Sequence, residues 1–123
     1  MSLSVEQILA ASDSQIEKVE CPEWGGNVYV RTITADERDR FEARFSARTD
    51  KGGVRADLVA LALCDESGKP LRPTDAEIKA LGTKSSGVMD RVFTAVMQLN
   101  KMLPSDVEAL EKNSEPTADS GSG

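Results

Sequence analysis

Histidine is absent from this chain, and that absence settles most of the chemistry its residues could do. No imidazole is available as a general base, a metal ligand or a partner for a Ser or Cys nucleophile. The two cysteines, Cys21 and Cys64, lack metal-site spacing and sit in apolar runs. They read as reduced, partly buried thiols, with a disulfide as the lesser alternative, and they cannot build a zinc site of the usual kind. Gly25-Gly26 and Gly52-Gly53 are turn glycines rather than a phosphate-binding loop. Asp65-Glu66-Ser67-Gly68 resembles a calcium loop only superficially, because the alternating ligands and the closing Glu are missing. Acidic residues are plentiful, and a carboxylate pair is formally available to them. Those that can be placed fall at helix starts or on polar faces, where capping and solvation account for them. The expectation is a protein that is not an enzyme and uses no cofactor or metal.

What remains is apolar surface that could hold another protein. Trp24, the only tryptophan, sits at a proposed hairpin tip. Its ring either folds back onto the helix bearing Phe41 and Phe45 or stands out as an anchor, since Trp is favoured at binding hot spots. Met89 and Met97 carry the same two readings, core filling or an adaptable binding face. Trp24, Met89 and Met97 are therefore the candidate partner-binding residues. A formal net charge of -6 and a pI of about 4.7 argue against a nucleic-acid or anionic-membrane surface, which would need a basic face. No apolar run is long enough to span a bilayer, and no signal peptide is expected.

The elements that position these residues have local signatures. Val19 and Cys21 alternate with charged residues, and beyond the turn Pro22-Glu23-Trp24-Gly25-Gly26-Asn27 Val28 and Val30 take one face, with Tyr29, Arg31 and Ile33 on the other. Period-two alternation on both sides of a Gly-rich turn predicts a β-hairpin, with Gly25, Gly26 and Asn27 as the residues that tolerate positive φ. Capping boxes begin helices at Ser4/Gln7, Thr34/Glu37, Thr74/Glu77 and Ser105/Glu108. The run from Val54 to Asp65 is apolar nearly all round, which predicts a central helix, with a strand as the alternative. A long helix is predicted from Ser86 to Leu103, with Phe93 in its core stripe and Pro104 ending it. From Ser114 to Gly123 there is no large apolar residue, so residues 1–113 are expected to form one domain and 114–123 a disordered tail. The fold class is α+β, mostly α: an N-terminal β-hairpin packed on several short-to-medium helices.

Blocks of the chain resemble the phage tail assembly chaperones of long-tailed phages and prophages. The resemblance lies in Ile16–Arg31 (IEKVECPEWGGNVYVR), Thr34–Glu42 (TADERDRFE) and Val54–Gly68 (VRADLVALALCDESG). It continues in Ala80–Ser85 (ALGTKS), Met89–Phe93 (MDRVF) and Asp106–Asn113 (DVEALEKN). The resemblance implies a non-enzymatic viral assembly protein of the host cytoplasm, not expected in the mature virion. It would bind the long, helical tape measure protein and assist assembly of the tail tube. A frameshift-extended form, its junction in the Ser114–Gly123 tail, would contact the tail tube protein, and self-association is open to it. The competing reading is a structural tail or head–tail connector protein retained in the virion.

Overall fold

Three helices begin where a side-chain oxygen closes the first turn. In the computed structural model, which describes residues 2–49 and 52–112, these are α1 (Val5–Ala10), α2 (Ala35–Ala47) and α4 (Asp75–Leu81). Their N-caps are Ser4, Thr34 and Thr74, and Gln7, Glu37 and Glu77 return the hydrogen bond in each case. Two of the first four unsatisfied N–H groups of each helix are thereby paired. The box expected at Ser105/Glu108 does not form. Instead α6 (Pro104–Lys112) takes Pro104 as its first residue, where a missing N–H costs nothing. The Leu103 N–H donates to Asp106 Oδ2 at 2.8 Å. The tail predicted for 114–123 lies outside the described residues.

The hairpin forms as its alternation requires. β1 (Ile16–Cys21) and β2 (Gly26–Arg31) pair antiparallel, with Val19 opposite Val28 and Cys21 opposite Gly26. Pro22–Trp24 make one 3₁₀ turn, and Gly25 completes the reversal at φ +84°. Of the three residues suited to positive φ, only Gly25 adopts it.

Two boundaries differ from the sequence reading. The helix expected to reach Asp65 stops at Ala62, and Leu63-Cys64 form a short strand, β3, after α3 (Val54–Ala62). β3 pairs antiparallel with Tyr29 and Val30, giving a sheet of order β1-β2-β3. A tertiary partner thus overrides the helical preference of Leu. The helix expected to reach Leu103 is α5 (Ser86–Leu99). Lys101 turns left-handed at φ +55°, the Lys101 N–H donates to the Gln98 carbonyl, and Met102 N–H reaches back to Met97 O at 2.8 Å. This is a Schellman stop built on lysine where glycine is usual. Asn100 secures it: its Oδ1 accepts from Ile33 N–H at 2.8 Å, and its Nδ2 donates to Val96 O and Arg31 O.

The core lies where α3 and α5 pack on each other and on the sheet. Leu58, Val92, Val96 and Val30 are fully sealed, and Phe41 and Phe45 of α2 stack at 5.9 Å between ring centroids. Phe93 was expected in this core but is only partly buried, beside the Arg55 guanidinium. It occupies the rim of the α5 stripe, where α3 offers the exposed side chain of Arg55 rather than an apolar one. Arg31 ties three elements together through a bidentate pair with Glu37 at 2.8 Å and a bond to Leu61 O at 2.9 Å. These bonds, those of Arg31 foremost, hold the Glu37 carboxyl down at about 2.

Candidate partner-binding surface

Reactive groups are spent on structure. Burial pushes the thiols of Cys21 and Cys64 up, so both stay protonated and poorly nucleophilic. Asp65 Oδ1 accepts from Ser67 N–H, Ser67 Oγ and Lys69 N–H. The supposed calcium loop is a turn clamped by its own carboxylate. Among the described residues no cluster of His, Cys, Asp and Glu could hold a metal ion. No helix there is long and apolar enough to cross a membrane.

The three candidate residues are not brought together on one exposed face. Met89 and Met97 point into the core, 5% and 9% exposed. Trp24 is half-buried against the same core. Its turn is held to α5 by Arg91, which donates to both Glu23 carboxylate oxygens at 2.8 and 2.7 Å and to Glu20 O at 3.0 Å. The Arg91 bonds hold the Glu23 carboxyl at about 2. The hairpin tip is therefore anchored to α5, with only part of the indole open to solvent.

The exposed apolar surface lies elsewhere. α1 has no buried residue, yet Val5, Ile8 and Leu9 are 72%, 55% and 79% exposed, and Leu3 just before it is also open. Spacings of three and four residues place Val5, Ile8 and Leu9 on one stripe. A stripe of this kind left in water is a candidate interaction surface. The sequence contained the signal, a capped apolar helix followed by the polar break Ser12-Asp13-Ser14. Nothing local, however, distinguishes a helix that folds back from one that stays out.

A second feature is a groove of about 970 Å³ between α2, α3, α4 and residues 70–73. Leu61 and Ile78, both half-buried, contribute apolar surface to it. Arg31, Arg44, Arg48, Arg72 and Lys79 line it with Glu37, Asp57 and Asp75.

No protein-family model and no curated protein matches this chain. A solved structure does, one described as the bacteriophage HK97 tail assembly chaperone. The two share 20% sequence identity with a TM-score of 0.56, over 80% of this chain and 95% of that one. The likeness is one of fold. It extends over nearly the whole of the HK97 protein rather than over an isolated motif. The mostly helical α+β fold read from the sequence is the fold found.

Proposed function

We propose that this protein is a tail assembly chaperone of a long-tailed phage or prophage, acting by binding rather than catalysis. The observation that carries the reading is the fold shared with the HK97 tail assembly chaperone over 80% of the chain. In this reading residues 1–113 act as one domain in the host cytoplasm, and the chain is left out of the finished virion.

Its main partner is the tape measure protein, a long helical molecule whose apolar stripes need cover until the tube encloses them. The α1 stripe of Leu3, Val5, Ile8 and Leu9 offers that cover, in the manner of one amphipathic helix laid against another. The open part of Trp24 adds a contact at the hairpin tip. Met89 and Met97, sealed in the core, hold α5 in place rather than meeting the partner. Contact with the tail tube protein belongs to a frameshift-extended form.

Co-expression with the tape measure protein of the same phage tests the proposal. The expected result is a soluble complex that co-purifies, with no peptide of this chain found by mass spectrometry of purified virions. An insoluble tape measure protein with no captured complex would overturn the chaperone role. Stoichiometric recovery from virions would favour a connector.

A further inference from the structure

The groove beside α2 has the opposite electrostatic character to the rest of the chain. Five cationic and three acidic side chains line it, on a chain whose formal net charge is -6. Two of the cations are already matched, Arg31 by Glu37 and Arg48 by Asp57. Arg44, Arg72 and Lys79 form no ion pair among the described residues, and Asp75 alone of the lining carboxylates is left to face them. Gathering cations in one concavity costs mutual repulsion, which an anionic occupant relieves. Arg72 is also held at φ +54°, a left-handed backbone that a residue with a Cβ seldom adopts. Strain of this kind collects at ligand clamps, and Pro70 and Pro73 stiffen the loop on either side.

We propose that this groove seats an acidic, amphipathic segment of a protein partner. Its carboxylates lie on Arg44, Arg72 and Lys79, and its apolar side chains lie on Leu61 and Ile78. The proposal rests on the assembly-helper reading for who the partner is, but not for how the segment is held. The surface combines charge with apolar contact, and the three cations sit on separate elements: α2, the 70–73 loop and α4. That spread suits an extended or helical segment better than a compact anion. A nucleic acid backbone would leave the apolar surface of Leu61 and Ile78 without a partner, which disfavours it.

The test uses the full chain and a synthetic amphipathic peptide of about five helical turns, with Leu on one stripe and Glu flanking it. Fluorescence anisotropy is read for this peptide, for a Glu-to-Gln version and for free citrate as a competitor. Binding of the acidic peptide should weaken about tenfold in the Gln version, and about tenfold again in an Arg44→Glu/Lys79→Glu chain. It should also weaken as salt rises from about 50 to about 200 mM. Both substituted side chains are exposed but sit in the last turns of α2 and α4, so the melting midpoint of that variant should fall only slightly, and anisotropy read well below it separates lost binding from lost folding. Failure of the acidic peptide to bind overturns the proposal, as does equal binding of the Gln version or insensitivity to Arg44→Glu/Lys79→Glu. Displacement by citrate at concentrations matching the peptide's would reduce the groove to a small-anion site and overturn it too. So would sedimentation showing that the same variant breaks a self-assembled species. Capture of the tape measure protein without peptide binding sinks the groove alone. Peptide binding without capture sinks the assembly reading alone.

Discussion

α1 and α5 both start after a serine and both carry an apolar stripe, yet they end up with opposite fates. α1 has a complete capping box and buries nothing. α5 has no side-chain cap at all and buries Val88, Met89, Val92, Ala95, Val96 and Met97. The cap a helix carries therefore does not decide its fate; packing determines whether its stripe becomes core or stays available. In a protein read as a holder of other chains, that division puts stability on α5 and binding on α1.

The comparison breaks most readily at Met89. Met89→Ala removes a sealed side chain and should cost about 2–5 kcal/mol, read as a lower midpoint in denaturant. A variant that keeps its midpoint would move Met89 out of the core and make α5 the binding face.

Acid tests the framework that holds α2 to the sheet. Glu37 is held at about 2 against an ordinary 4.5, so the unfolded chain binds its proton first as pH falls. The stability this group supplies is complete above about pH 4.5 and drains away toward pH 2. Glu37→Gln should flatten the fall of unfolding free energy across that window. An unchanged slope would mean that the Arg31 pair does not form.

Identical caps should have unequal consequences. Thr34→Ala should lower global stability by about 1 kcal/mol, because α2 carries Phe41 and Phe45 into the core. Ser4→Ala should leave the global midpoint alone and only speed amide exchange in α1. Equal shifts for the two would show that α1 packs on the domain after all.

The smallest stability change is expected at the α1 stripe. Ile8→Ser/Leu9→Ser should alter unfolding by no more than about 0.5 kcal/mol, while abolishing co-purification of the tape measure protein. Full capture by this variant would remove α1 from the binding surface.

Much of the fold was legible because its signals are local. A hydroxyl with its partner three residues on marks Thr34 and Thr74, and alternation about Gly25 marks the hairpin. What escaped is tertiary. Leu63 and Cys64 are ordinary helix continuations until β2 offers them an edge. Lys101 gives no hint of a left-handed stop until Asn100 has Ile33 and Arg31 to bond. At Pro104 the missing N–H suits a helix start as well as an end, and Ser105 therefore misleads. The candidate surface was harder still, since exposure is a property of neighbours. The methionines proved to be sealed, and the bare stripe was on a helix whose sequence looks unexceptional. The groove joins cations from positions 44, 72 and 79, which no spacing rule connects.

The Asn100 bond to Ile33 spans 67 positions, and the Arg91 clamp on Glu23 spans 68. A ribosome adds about 5–20 residues per second, so the hairpin emerges roughly 3–14 seconds before either partner exists. Throughout that interval Val19, Cys21 and Val30 have no α5 to cover them. The hairpin is thus born with its inner face bare, and the core over it closes only after the fifth helix has left the exit tunnel.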